Sequence, residues 1–235
     1  MLKQFFYYLS CFCIIAACSC SKDENITDQP IETRMMTYLA LGDSYTIGEA
    51  VAEEERYPNQ LIPLLENPQS WEKPKIIAKT GWTVDELDAG INEETTLSAS
   101  YDLVTLLIGV NNQFRGRPVE EYAVDFEKML LRAIGFAGNK PDHVVVLSIP
   151  DWGVTRFAQN RGVNQQEVAA GIDAYNQTKK EICDNYGVKY IDITEDYRAV
   201  GSQPEMQAED GLHPSGLIYT DWAKKLANHV NTITF

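Results

Sequence analysis

The sequence predicts an α/β fold, with helices on both faces of a mainly parallel five-stranded sheet. Five short apolar segments have the length of strands, and segments with helical spacing separate them. One strand segment, LVTLLI at 103–108, is apolar on both faces, which is typical of a central parallel strand. The chain has 235 residues, 44% of them hydrophobic, and shows no repeat, so we expect one domain with one core.

Each predicted element has a local signal. Thr83 and Glu86 have the spacing of a capping box, and Gly187 is suited to end the helix that Asn164 begins. The predicted strands are 36–41, 76–79, 103–108, 144–149 and 190–193. The predicted helices are 58–65, one opened by Thr83, one from Pro118, one from Asn164 to Gly187, and 217–230.

The charge of the chain excludes several classes of partner. Lys and Arg number 20 against 34 Asp and Glu, a net charge of −14. Such a surface repels nucleic acid phosphates and anionic membranes, so we expect neither as a direct partner. We expect a monomer acting on a neutral small-molecule or glycan substrate.

The N-terminus has the pattern of an export signal. Lys3 precedes the apolar segment 5–17, which is shorter than the roughly 20 residues that span a bilayer. The sequence Ile-Ala-Ala-Cys at 15–18 resembles the lipobox of bacterial lipoproteins, with Cys18 as the lipidated residue. Cys20 is a weaker alternative, and a plain secretory signal is another.

These patterns predict a signal peptide at 1–17, a polar tether at 18–34 and one folded domain at 35–235. The expected location is the bacterial cell envelope, with the chain lipid-anchored to the outer membrane and either periplasmic or surface-exposed. The anchor is the only expected membrane contact. Four of the five cysteines lie in the first 20 residues and no Cys-x-x-Cys occurs, so we expect neither a disulfide framework nor a metal site.

Polar groups that suit acyl transfer follow the predicted strands. Ser44 follows the first strand and needs a base to become a nucleophile; His213 can act as that base, and Asp210 can hold its ring. Gly81 and Asn111 follow the second and third strands. Their N–H groups, with that of Ser44, can donate to the oxyanion that forms when an ester is attacked. Ligands collect at this edge of open α/β sheets.

Four sequence blocks together resemble the SGNH superfamily of GDSL-type esterases and lipases over nearly the whole mature chain. They are Gly-Asp-Ser-Tyr at 42–45, the lone Gly81, Gly-Val-Asn-Asn at 109–112 and Asp-Gly-Leu-His at 210–213. The resemblance implies a flavodoxin-like three-layer α/β/α sandwich and a metal-free acyl-enzyme mechanism without a cofactor. It implies Ser44, Asp210 and His213 as the triad, and Ser44, Gly81 and Asn111 as the oxyanion hole.

Two residues depart from the family pattern. Tyr45 replaces Leu at a position that varies widely. Asn112 replaces the usual Asp, and we expect its amide to hold the loop by hydrogen bonds all the same. Gln113, Arg115 and Arg117 follow closely; we expect them in a solvated loop, with contact to a polar alcohol moiety as the alternative.

The substrate is less sharply predicted. Trp82 and Trp152 are candidates for lining an acyl or sugar pocket, with burial in the core as the alternative. By analogy with the family, we expect a carboxylic ester hydrolase acting on short acyl or O-acetyl groups, which include those on glycans. The alternatives are a non-catalytic envelope lipoprotein that binds a glycan or ester, and an acyltransferase that uses the same triad.

Overall fold

A computed structural model of the chain describes residues 34–235. The predicted signal peptide, Cys18, Cys20 and all but the last residue of the tether lie outside the described residues. The described strands are β1 (Tyr38–Gly42), β2 (Lys75–Ala78), β3 (Leu103–Leu107), β4 (Val144–Leu147) and β5 (Lys189–Ile191). They form one parallel sheet in the order β2-β1-β3-β4-β5, which confirms the predicted fold class.

The direction in which successive strands are added to the sheet reverses between β1 and β3. β1 pairs with β2 on one side and with β3 on the other, in a register that sets Gly42 opposite Leu107. Both β1 and β3 are buried along their whole length. In such sheets the crevice beyond the carboxyl ends of the two strands at the reversal is the usual ligand site. The topology therefore points to the segments that follow β1 and β3.

Helices cover both faces of the sheet. Helix α5 packs on both α3 and α7, and α2 packs on α9. The α-helices are α1 (Ser44–Ile47), α2 (Tyr57–Leu61), α3 (Val84–Glu93), α4 (Val110–Phe114), α5 (Val119–Phe136), α6 (Arg156–Asn160), α7 (Gln165–Tyr186), α8 (Thr194–Val200) and α9 (Gly216–Val230). Among the described residues no helix is long and apolar enough to cross a membrane.

The predicted helix signals are confirmed, with one shortening. Thr83 and Glu86 form the capping box of α3, and the Asn164 side chain caps α7, which ends at Gly187. The predicted helix 58–65 is too long. Helix α2 ends at Leu61, and a 3₁₀ turn that contains Pro63 follows at Ile62–Leu64. Proline has no N–H for the next α-helical hydrogen bond, so the regular helix stops there.

A lysine interrupts the apolar stripe of α7. Lys179 is fully buried, and its Nζ donates to the Leu147 carbonyl at 3.0 Å and lies 5.5 Å from the centre of the Phe126 ring. Burial lowers the pKa of Lys179 to about 7, although the nearby Cys183 and Asp43 side chains oppose the shift. The buried amine therefore loses its proton far below the ordinary pKa of lysine.

We expect the stability of the wild type to rise with pH, relative to Lys179→Met, between about pH 7 and about pH 9. The unfolded lysine has its ordinary pKa of 10.5 and keeps a proton that the folded one has released. Stability rises wherever the unfolded state binds more protons, here by up to about 1.4 kcal/mol per pH unit. Urea unfolding measures the slope. Lys180→Met is the control because Lys180 is exposed. Equal slopes for wild type and Lys179→Met would contradict the account.

Candidate active site

The turn after β1 places Ser44 at the carboxyl edge of the sheet. A Cβ on Gly42 would lie 2.1 Å from Thr46 Oγ1 and 2.3 Å from the Leu107 carbonyl oxygen, so only glycine fits there. The Asp43 side chain caps α1 by accepting the N–H of Tyr45 at 3.0 Å. Ser44 is consequently the first residue of α1 and is 4% exposed.

Asp210 and His213 lie on one short loop that their own hydrogen bonds close. Asp210 Oδ1 accepts the backbone N–H groups of Leu212 and His213 at 2.9 and 3.0 Å. Asp210 Oδ2 lies 2.5 Å from His213 Nδ1. One carboxylate thus shapes the loop with one oxygen and orients the imidazole with the other.

The electrostatics of this pair favour an ionised Asp210 that accepts a hydrogen from His213 Nδ1. Partial burial raises the pKa of Asp210, but hydrogen bonds from His213 and from the backbone N–H groups of Leu212 and His213 outweigh it and leave the pKa below its ordinary value. The ionised carboxylate therefore accepts from Nδ1–H, which leaves Nε2 as the proton acceptor.

Ser44 and His213 line the same cavity. Among the described residues no hydrogen bond joins Ser44 Oγ to the imidazole, and the His213 ring lies 5.1 Å from that of Tyr45. Contacts between nucleophile and base are often longer without substrate and tighten in the reacting complex. The structure thus brings Ser44 and His213 to one cavity without a hydrogen bond between them.

Three N–H groups are open at this cavity. Within residues 34–235, the backbone N–H groups of Ser44 and Gly81 have no acceptor. Asn111 Nδ2 donates to the Trp82 carbonyl at 2.9 Å, which leaves its second amide hydrogen for another acceptor. Ser44, Gly81 and Asn111 all line the cavity. The structure thus brings together the three donors that the sequence predicts for an oxyanion hole.

The cavity beside Ser44 is small and walled by aromatic rings. Its volume is about 180 Å³. Trp152 is buried, its Nε1 donates to Gln113 Oε1 at 2.8 Å, and its ring meets the half-exposed Phe114 edge-on at 5.1 Å. The residues that line the cavity are Ser44, Tyr45, Thr80, Gly81, Val110, Asn111, Phe114, Trp152, Phe157, Leu212 and His213. Trp152 therefore lies where the sequence predicts a substrate contact.

The structure places the side chain of Trp82 elsewhere. Its indole packs on Gly90 of α3, where a Cβ would come within 2.1 Å of the ring. Trp82 lines a separate depression with Ile76 and Ile77, and only its backbone carbonyl bonds to Asn111. The interpretation of the Trp82 side chain as part of the same pocket is not supported.

All three predicted residues of the segment after Asn111 have specific partners, so its interpretation as a merely solvated loop is corrected; Arg117 pairs with Asp85. Gln113 holds Trp152, and Arg115 Nη2 donates to the Gly81 carbonyl at 2.7 Å. The expectation for Asn112 is confirmed: it is buried, and its Oδ1 accepts the N–H of Val84 at 3.1 Å.

Phe114 and Phe157 are wall residues that the sequence reasoning missed. The available signal was the position of Phe114 three residues after Asn111, on the same side of a helical turn.

A larger cavity of about 700 Å³, lined in part by Trp71 and Gln60, contains none of the predicted site residues. In the described part of the chain no group of three or more His, Cys, Asp or Glu is placed to hold a metal ion.

The chain belongs to the GDSL-like lipase/acylhydrolase family, whose model matches residues 40–220. This family and the similar solved structures that are named as esterases and lipases support a hydrolase activity for the chain. No curated protein matches the chain at a significant level.

Solved structures share the fold at low sequence identity. An acetylxylan esterase from Geobacillus stearothermophilus is 19% identical, with a TM-score of 0.63 over 86% of this chain and 98% of its own. A lipolytic protein of the G-D-S-L family from Veillonella parvula is 17% identical, with a TM-score of 0.63 over 84% of this chain and 100% of its own. A lipase/acylhydrolase from Enterococcus faecalis is 19% identical, with a TM-score of 0.59 over 84% and 96%.

We expect Asn111→Ala to lower kcat for an ester by roughly 10²–10³-fold, the usual cost of one oxyanion donor. Asn111→Asp keeps the size of the side chain and removes its N–H groups, so it should lose at least as much. Steady-state kinetics measure both, and circular dichroism checks that the variants fold. A loss of less than threefold in Asn111→Ala would remove this amide from the oxyanion hole.

Proposed function

We propose that the chain is a serine esterase that hydrolyses short-chain carboxylic esters through an acyl-Ser44 intermediate. The observation that carries the proposal is the meeting, at one cavity, of Ser44, the hydrogen-bonded pair of His213 and Asp210, and three open N–H donors. A non-catalytic binding protein has no use for all of these groups together. Each of them has a defined role in ester hydrolysis.

The proposed reaction has two halves. Ser44 Oγ attacks the ester carbonyl while His213 Nε2 takes its proton, and Asp210 stabilises the resulting imidazolium. The N–H groups of Ser44, Gly81 and Asn111 hold the oxyanion of the tetrahedral intermediate. His213 then protonates the departing alcohol. Water, activated by the same His213, attacks the acyl-Ser44, which releases the carboxylic acid and restores the serine.

The size and polarity of the cavity support a small, neutral acyl group. A cavity of about 150 Å³ holds a benzene ring, so about 180 Å³ accommodates an acetyl group or a somewhat longer acyl chain. No Asp, Glu, Lys or Arg is among the lining residues of the described chain. The structural likeness to an acetylxylan esterase makes O-acetyl groups on glycans the natural substrates that we propose to test first.

We expect the purified chain to hydrolyse p-nitrophenyl esters with an optimum at acetate or butyrate and little turnover of decanoate, because the cavity is small. Activity should persist with EDTA and be abolished in Ser44→Ala, whose fold stays intact. Release of p-nitrophenolate measures the rates. Equal activity in Ser44→Ala would refute the mechanism. A folded wild type without activity on any ester of the series or on acetylated xylan would favour a binding protein.

We expect Trp152→Ala to move the chain-length optimum toward longer acyl groups. Removing the indole enlarges the cavity and also frees Gln113 from its bond to Nε1. The same p-nitrophenyl series measures the shift in kcat/KM. Trp82→Ala is the matched control: it removes an indole outside the cavity and should keep the wild-type optimum, whatever its overall rate. An unchanged optimum in Trp152→Ala would exclude the indole as the wall for the acyl group.

A further inference from the structure

One proposed oxyanion donor stands on a loop that needs external support. Gly81 has a φ of +89°, a conformation that glycine adopts and that other residues rarely do. Glycine is also the most freely moving residue, so the direction of its N–H is not fixed by its own backbone. An open N–H helps catalysis only when it is already aimed at the position where charge develops. Contacts from outside the loop must therefore hold it.

Two side chains of one helical turn bond to consecutive carbonyls of this loop. Asn111 lies in α4 and Arg115 caps its C-terminus, four residues later, on the same face. Asn111 Nδ2 donates to the Trp82 carbonyl at 2.9 Å, and Arg115 Nη2 donates to the Gly81 carbonyl at 2.7 Å. The two side chains of this helical turn therefore hold two successive peptide planes of the loop, one each.

Arg115 also joins the loop to the start of α3. Its Nη1 donates to Glu86 Oε1 at 3.0 Å, while Glu86 Oε2 accepts the N–H of Thr83 at 2.9 Å. The planar guanidinium presents donors in a rigid fork, so one side chain can hold a carbonyl and a carboxylate at the same time. A lysine ammonium would not reproduce this geometry.

We infer that Arg115 is a positioning residue of the oxyanion hole, which acts by holding the Gly81–Trp82 peptide, next to the one that carries the Gly81 N–H, while Asn111 holds the Trp82–Thr83 peptide. The inference rests on the proposed function. Arg115 is not among the residues that line the cavity, so its effect passes through Gly81 and not through contact with substrate. Its removal should therefore lower kcat and leave KM nearly unchanged.

A neighbouring ion pair provides a matched control. Arg117 pairs with Asp85 of α3 at 2.6 Å and is similarly half-exposed, but in the described chain its guanidinium bonds to no carbonyl of the loop. Arg117→Ala removes an ion pair between the same segments without releasing Gly81. Exposed ion pairs contribute little to stability, so neither variant should unfold the protein.

The first test is the kinetics of Arg115→Ala, Arg115→Lys and Arg117→Ala on p-nitrophenyl acetate. We expect Arg115→Ala to lower kcat about 10-fold with KM within about twofold, a smaller loss than the roughly 10²–10³-fold of a deleted donor. Arg115→Lys should recover only part of it, and Arg117→Ala should stay within about twofold of wild type. Equal losses in Arg115→Ala and Arg117→Ala would overturn the inference, as would an effect of Arg115→Ala on KM alone.

The second test needs no catalysis. The N–H of Trp82 donates to the Lys79 carbonyl at 3.2 Å, so its hydrogen exchange reports on the order of the loop. In a Ser44→Ala background, Arg115→Ala should speed this exchange and Arg117→Ala should not. Exchange that Arg115→Ala leaves unchanged would overturn the inference. A wild type without Ser44-dependent turnover would refute the proposed esterase, while the exchange experiment would still decide whether Arg115 holds the loop.

Discussion

The site depends on the close approach of β1 and β3 at their carboxyl ends. Gly42 pairs with Leu107 in the parallel register, and the Leu107 carbonyl oxygen lies only 2.3 Å from the position that a Cβ on residue 42 would take. Because the two strands end side by side, the segments that follow them begin side by side. One carries Ser44 and the other carries Asn111. A slip in this register would separate the proposed nucleophile from an oxyanion donor and turn the side chains of the slipped strand to the other face of the sheet.

The two halves of the proposed catalytic apparatus are held in different ways. Asp210 and His213 are three residues apart, and hydrogen bonds within their own loop set their geometry. The proposed oxyanion donors come from three separate segments, and in the middle one Asn111 and Arg115 bond to the carbonyls of Trp82 and Gly81. The Asp210–His213 pair is thus a local structure, whereas the proposed oxyanion hole depends on the packing of α4 against the loop after β2. Distant changes in packing should therefore disturb the proposed oxyanion hole more readily than the Asp210–His213 pair.

Local chemistry explains what the sequence could predict. The strands, the long helices and the pairing of Asp210 with His213 follow from patterns within a few residues. The partners of Gln113 and Arg115 depend on which loop lies over α4, and a solvated turn has the same sequence pattern. The position of the Trp82 indole could not be predicted from local patterns either. The ring packs on α3 because Gly90 leaves room there. The short helices α1, α4 and α6 span too few residues to show a periodicity.

The central claim is that Ser44 is a nucleophile activated by His213 beside a preformed oxyanion hole. Reaction with an uncharged p-nitrophenyl alkylphosphonate tests it most directly, because attack on phosphorus leaves a stable tetrahedral adduct on the serine. The account predicts one p-nitrophenolate released per chain and a mass adduct on the peptide that contains Ser44, with slow labelling in His213→Ala and none in Ser44→Ala. An unlabelled Ser44 peptide, or equal labelling of wild type and Ser44→Ala, would contradict it.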